Sequence, residues 1–213
     1  MVKASSSRPG AEDMSAVSVA ILAGGQSRRM GRNKALLELG ASTLLERMLA
    51  TVSPLAADCM LICGETDAFA SLGLPIHADL RPQLGPLGGL YTALELAPSP
   101  VVLLLACDLP FVKTEFLRFM LDQLRDHQAL VPRSTEGLQH LCAVYTRSCR
   151  PAIEQAISRN QLHMKAFHDH VDVRILEPDE WQVFDPRHTL FMNLNTPQDY
   201  KRAQELVEGE SQQ

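Results

Sequence analysis

Residues 22–34 read Leu22-Ala23-Gly24-Gly25-Gln26-Ser27-Arg28-Arg29-Met30-Gly31-Arg32-Asn33-Lys34, and they hold three glycines, two adjacent arginines and a lysine. Glycines let a backbone turn tightly and bring its N–H groups close to a ligand. Arginine and lysine set full positive charge beside those groups. The apolar run from Val17 to Leu22 that precedes the segment reads as a strand. A strand feeding such a loop is how α/β proteins hold polyphosphates. The segment therefore predicts a nucleotide site, the plain alternative being a glycine-rich surface turn with solvated basic residues. It is not a Walker A loop, since G-x-x-x-x-G-K-[ST] cannot be read in it, and its adjacent Gly24-Gly25 do not fit G-x-G-x-x-G.

Three further motifs follow in order: Gly85-Pro86-Leu87-Gly88-Gly89, Cys107-Asp108-Leu109-Pro110 and Asn193-Leu194-Asn195-Thr196-Pro197. Together with L-A-G-G-x-S-x-R-M-G-x-x-K, the set resembles the molybdenum cofactor guanylyltransferase (MobA) family from about Val17 to about Val207. The resemblance implies transfer of GMP from GTP to the terminal phosphate of the molybdopterin cofactor, with release of pyrophosphate. It implies Mg²⁺ as cofactor, GTP and molybdopterin as substrates, and molybdoenzymes or other cofactor-biosynthesis proteins as partners.

Roles carry over by position. Asp108, at the end of a buried strand, is assigned to the metal. Mg²⁺ prefers one or two carboxylates with phosphate oxygens and water. A turn or helix-capping aspartate ahead of Pro110 is the other reading. Lys34 would neutralise charge growing on the α-phosphate and pyrophosphate. Arg29 would grip the β- and γ-phosphates, while Arg28 and Arg32 also read as solvated. Leu22, Ala23, Gly24 and Gly25 would offer backbone groups to base and phosphates. The resemblance gives Asp79 to base binding, where a carboxylate can accept from guanine N1–H and its 2-amino group. A surface-loop aspartate is the alternative. Asn195 is placed near the metal, with Asn193 supporting it or meeting the second substrate. Both also read as turn residues before the Thr196-Pro197 helix start. Gly-Pro-x-x-Gly and Leu-Ala-Gly-Gly favour GTP over CTP. The rival readings are a CTP-dependent molybdopterin cytidylyltransferase, a sugar-phosphate nucleotidyltransferase and a non-catalytic nucleotide-binding partner that delivers cofactor. The intact Lys34, Asp79 and Asp108 argue against the last.

Other chemistry-bearing residues read as structural. Cys107 suits a packed strand end better than a nucleophile, and Cys59 and Cys63 are spaced to pack on one face. His163, His168 and His170 crowd near Asp169, but in no known metal-ligand spacing. His140 is followed by Leu141, where the family often has proline. Lys165 and Arg133 read as contacts to a second anionic substrate or as solvated cations.

These residues need a frame, and strand and helix signals alternate to supply one. Strands are predicted over residues 18–22, 59–63, 74–78, 101–106, 129–131, 141–145 and 171–176. Val101–Ala106 is wholly apolar, as suits a central parallel strand buried on both faces. Thr43 with Glu46 has capping-box spacing and opens a helix whose stripe is Leu44, Leu45, Met48, Leu49 and Val52. Further helices are predicted over residues 88–96, from Thr114 as cap, over 150–159, and from Thr196-Pro197 to about Glu208. The alternation predicts a three-layer α/β/α sandwich, Rossmann-like with a mostly parallel sheet, and the resemblance implies that it is of nucleotide-diphospho-sugar-transferase type. Ligands in such sheets sit at the carboxyl ends of the strands, so the glycine loop and Asp108 should share one rim.

Composition bounds the rest. The chain has 213 residues, 46% hydrophobic and 21% charged, which suits one domain over residues 17–208. Residues 1–16 read as a disordered tail without a signal peptide's apolar stretch, and residues 209–213 as a frayed end. A net charge of −5 argues against nucleic-acid binding. No apolar run reaches a membrane span. Five cysteines without a C-x-x-C pair suggest reduced thiols in a cytoplasmic protein.

Overall fold

The computed structural model describes residues 17–24, 34–56, 58–64 and 66–210. The strands are β1 (Val17–Leu22), β2 (Glu38–Leu39), β3 (Ser42–Thr43), β4 (Asp58–Cys63), β5 (Ile76–Ala78), β6 (Val101–Ala106), β7 (Ala129–Ser134), β8 (Gly137–Leu138), β9 (Cys142–Thr146) and β10 (Val173–Leu176). The α-helices are α1 (Leu44–Val52), α2 (Pro86–Leu96), α3 (Thr114–Leu124), α4 (Arg150–Ser158), α5 (Pro178–Trp181) and α6 (Pro197–Glu210).

The main sheet runs in the order β10-β7-β9-β6-β1-β4-β5, with β8 added to β7. β1 pairs parallel with both β4 and β6, β4 with β5, and β10 with β7. β9 lies antiparallel between β6 and β7, and β8 pairs antiparallel with β7, so the sheet is mixed but mostly parallel. β1 and β6 are buried along their whole length, and their alternate residues feed different layers. Val19, Ile21, Leu103 and Leu105 pack with α1 and α3 on one face. Ala20, Leu22, Val102 and Leu104 pack with α2 and α4 on the other. These are the three layers the alternation of elements predicts. A third small core forms where α6 brings Ala203 to Leu39 and Leu44 around the β2–β3 hairpin.

The capping box at α1 is present: Glu46 N donates to Thr43 Oγ1 at 3.2 Å and Thr43 N donates to Glu46 Oε2 at 2.7 Å. Replacing Thr43 with alanine should cost about 1 kcal/mol of stability, read as a lower urea midpoint at unchanged m-value. Thr114 does not cap α3. It is the first helical residue, and its hydroxyl donates instead to the Thr51 carbonyl at 2.7 Å, tying α3 to α1.

Several predicted boundaries move. β5 starts at Ile76 rather than residue 74, and β10 at Val173 rather than residue 171. α2 begins two residues early, because Gly85 with φ +62° makes the turn and Pro86 occupies the first turn. β7 continues to Ser134, where β8 pairs with it. α6 runs to Glu210, past the predicted end, leaving residues 211–213 of the proposed frayed tail outside the described residues along with residues 1–16. Cys59 and Cys63 lie on the same face of β4 against one core, as their spacing predicts.

Candidate active site

Strand β1 ends at Leu22, and the chain is carried over the sheet edge by two backbone bonds. Ala23 N donates to Ile62 O on β4 at 3.0 Å, and Cys107 N donates to Leu22 O at 3.2 Å. Gly24 follows at the rim, and its α-carbon faces Gly64 at the end of β4. Gly25, Arg28, Arg29 and Arg32 lie outside the described residues. The described residues resume at Lys34, which starts a short 3₁₀ turn, Lys34–Leu36.

Lys34 reaches back to the sheet edge. Its Nζ donates to Asn195 Oδ1 at 2.9 Å and lies 3.6 Å from Asp108 Oδ2. Asp108 stands two residues past β6, and Leu194 N donates to its backbone carbonyl at 3.2 Å. That bond brings the Asn193–Asn195 motif, nearly ninety residues further along the chain, against the end of β6. Three residues predicted from separate motifs therefore meet at one point. The Lys34 and Asp108 side chains are only 15% and 19% exposed. Burial pushes the Asp108 carboxyl above its ordinary range, and the Lys34 ammonium pulls it back only in part.

Asn193 takes a different place. Its side-chain amide donates to Phe191 O at 3.2 Å, a local turn bond, and among the described residues no hydrogen bond joins it to Lys34 or Asp108. Cys107 is buried, and its thiol is pushed up to about 12, by burial and then by Asp108. It carries too little thiolate at neutral pH to act as a nucleophile.

Asp79 follows β5 on the same rim. β5 is three strand positions from β6, which puts their ends roughly 14 Å apart. Its carboxylate is held firmly. Oδ1 accepts from Thr92 Oγ1 at 2.8 Å and from Arg81 N at 2.9 Å, while Thr92 Oγ1 accepts from Leu80 N at 3.0 Å. Oδ2 receives no protein donor among the described residues. The Gly85–Gly89 motif makes this arrangement fit. A Cβ on Gly88 would lie 2.6 Å from Arg81 O and 2.9 Å from Asp79 Oδ2, and one on Gly89 would lie 3.0 Å from Leu22. Close approach of α2 to the rim requires the glycine at 88, where backbone stands in the way, whereas at 89 the Leu22 side chain has only to give by a few tenths of an ångström.

Two residues that the sequence reading did not single out organise this site. Thr92, fully buried in α2, orients Asp79; a lone aliphatic hydroxyl in the run Gly88-Gly89-Leu90-Tyr91-Thr92-Ala93 was its signal. Asp199 accepts from Asn195 N at 3.1 Å and Thr196 N at 2.8 Å, and Thr196 Oγ1 accepts from Asp199 N. The Thr196-to-Asp199 spacing is a capping-box pattern that fixes the backbone at Asn195.

Away from this point, Arg133 is paired with Glu177 at 3.0 Å, so its charge is committed within the fold. Lys165 is exposed. The described residues include no group of three or more His, Cys, Asp or Glu placed to hold a metal ion, and His163 and His170 are exposed. His168 instead packs edge-on against His140, ring centroids 5.0 Å apart. Burial, with His168 and Lys165 nearby, pushes His140 down to about 4. The unfolded chain protonates this residue near pH 6.5, before the native state does. Stability from His140 should thus be present above pH 6.5 and lost as pH falls toward 4. Thermal melts of His140→Gln should show a shallower loss across that window than the unsubstituted protein.

A rim of mostly parallel strands with Gly24 at its edge, a lysine bridging a carboxylate and an amide oxygen, and a second fixed carboxylate across the rim suits an α/β nucleotidyltransferase, the class that the comparisons show. The chain belongs to the MobA-like NTP transferase domain family, whose profile matches residues 19–173. It is 35% identical over 189 residues to a probable molybdenum cofactor guanylyltransferase from Carboxydothermus hydrogenoformans, covering 89% of this chain and 95% of that one. It is 30% identical to the molybdenum cofactor guanylyltransferase of Desulfosudis oleivorans, covering 92% and 98% of the two chains. Among solved structures, the molybdopterin-guanine dinucleotide biosynthesis protein A of Archaeoglobus fulgidus superposes with a TM-score of 0.78 at 27% identity, over 90% of this chain and 99% of that one. The fold is shared with a 2-C-methyl-D-erythritol 4-phosphate cytidylyltransferase from Thermus thermophilus, TM-score 0.68 at 23% identity, over 91% and 99%. Among the described residues no helix is long and apolar enough to cross a membrane.

Proposed function

We propose that this nucleotidyltransferase is a molybdenum cofactor guanylyltransferase. It transfers GMP from GTP to the terminal phosphate of molybdopterin and releases pyrophosphate. The observation that carries the reading is the meeting of Lys34, Asp108 and Asn195 at the end of β6, with Asp79 fixed across the rim. The names of the relatives at 30–35% identity support the choice of nucleotide and acceptor.

In this reading Asp79 binds the base. Thr92 and Arg81 N hold Oδ1, so Oδ2 points to a guanine edge that offers N1–H and the 2-amino group. Ala23 and Gly24, with Gly25 beyond them, lend backbone groups to the nucleotide, and Arg29 grips the outer phosphates. Lys34 faces the α-phosphate and neutralises charge as the bond to pyrophosphate lengthens. The acceptor is already an anionic phosphate, so the chain needs no general base; its work is alignment and charge neutralisation. Asn193 stays a turn residue that shapes the approach to Asn195.

The donor set suits Mg²⁺. Asp108 Oδ2 and Asn195 Oδ1 converge on the position of one cation, Lys34 Nζ, and a single carboxylate with a neutral oxygen is what Mg²⁺ takes when phosphates complete its shell. Asp108, with Asn195 beside it, would hold the ion, which would supply charge neutralisation across the phosphates.

The test is pyrophosphate release in the presence of GTP, Mg²⁺ and molybdopterin, with each omitted in turn. Release is expected only with all three. Release with CTP replacing GTP at equal rate would overturn the guanine assignment, and GTP binding without any release would overturn the enzymatic one.

A further inference from the structure

A cavity of about 700 Å³ opens between α1, the start of α3 and the segment at residues 186–189. Lys34, Asp79, Asp108 and Asn195 do not line it. Three cations do: Arg47 on α1, Lys113 immediately before α3, and Arg187. The acid among the lining residues is Glu46, whose Oε2 already accepts from Thr43 N and Thr43 Oγ1 at 2.7 and 2.9 Å. Arg47 Nε is buried and has no hydrogen-bond partner among the described residues. Neither Arg47 nor Lys113 forms a salt bridge among the described residues.

Like charges that line one cavity repel, and an anion between them relieves that repulsion. The chain as a whole carries −5, so this local excess of positive charge is not a general property of its surface. α3 also begins at the cavity wall without a side-chain cap, so its first amides and dipole add to the same field. Ser42 and Thr189 bring hydroxyl groups to the lining. The volume is that of a small-molecule site.

We propose that this cavity is a second anion site, separate from the nucleotide rim, that takes a small phosphate-bearing compound. The Arg47 guanidinium and Lys113 Nζ set their charge against its phosphate oxygens, with the amides that open α3. The proposal does not depend on which nucleotide the rim binds. Amide and arginine side-chain NMR spectra can follow titration with inorganic phosphate and, separately, with phenyl phosphate. Saturable shifts are expected at Lys113, Thr114, Glu115 and Arg47 Nε–H. Lys113→Glu, at an exposed position that should not disturb folding, should weaken binding at least roughly tenfold. The double variant Arg47→Gln, Lys113→Glu should remove the shifts, and Lys34→Ala should leave them. Tighter binding of phenyl phosphate would assign the site to a phosphorylated organic compound, equal binding to free phosphate. Absent shifts, shifts that survive the double variant, shifts that vanish in Lys34→Ala, or response to a polyglutamate peptide alone would overturn the proposal.

Discussion

Asp108→Asn is expected to lower nucleotide transfer by roughly 10²–10³-fold while raising the melting temperature at neutral pH. The two effects have one cause. Asp108 is 19% exposed at the end of an apolar strand, where burial favours the neutral carboxyl and Lys34 compensates only in part. The native state therefore binds a proton more tightly than the unfolded chain does. Stability from this group is fully present below the unfolded carboxylate value of about 3.9 and is lost as pH rises through the higher native value. Asparagine carries no charge to desolvate, and its amide oxygen can still face Lys34 Nζ. The variant should be the more stable protein at pH 7, and the gap should close as pH falls toward 4. Melts across pH and pyrophosphate release at saturating Mg²⁺ read the two halves independently. Near-normal turnover in the variant would remove Asp108 from the chemistry.

That trade explains why the motifs were legible while their arrangement was not. A carboxylate at the end of an all-apolar strand makes no sense for stability, so Asp108 stood out in the sequence against Val101–Ala106. Lys34 and the adjacent glycines stood out for the same reason, as charge and chain freedom placed where neither helps a core. What local pattern could not supply was the long-range closure. Leu194 N bonding to Asp108 O joins segments far apart in sequence, and within Asn193-Leu194-Asn195 it was the resemblance, not the residue pattern, that set Asn195 at the site. Backbone geometry decides it: Asn193 turns to Phe191 O, and Asp199 holds the Asn195 backbone. The parallel strands were readable from their apolar runs, whereas the antiparallel setting of β9 was not. A strand buried on both faces looks alike in either direction. Short 3₁₀ turns such as Asp67–Leu72 and Met164–His170 also escaped, since they carry no 3.6-residue stripe.

Asp79→Asn is expected to separate base recognition from chemistry. Asparagine can keep the bonds that Oδ1 accepts from Thr92 and Arg81 N, so the loop should stay in place. It would, however, present an amino group in place of Oδ2, and guanine offers donors on that edge. Two hydrogen bonds to a charged acceptor would be lost and replaced by opposed donors. At about 1.5–3 kcal/mol for a hydrogen bond to a charged group, the KM for GTP should rise by roughly 10²-fold or more, with a smaller change in kcat. The preference for GTP over ITP, which lacks the 2-amino group, should collapse in the variant. Gly88→Ala approaches the same loop from the other side. Its Cβ would sit 2.6 Å from the Arg81 carbonyl and 2.9 Å from Asp79 Oδ2, and a backbone oxygen has little room to yield. The Asp79 loop must then shift away from α2, so this variant should also raise the KM for GTP, although it leaves the carboxylate intact. If Asp79→Asn keeps both the GTP KM and the GTP-to-ITP ratio, the base is read elsewhere. In that case the bonds from Thr92 and Arg81 to Asp79 serve only to fasten the start of α2 to the end of β5.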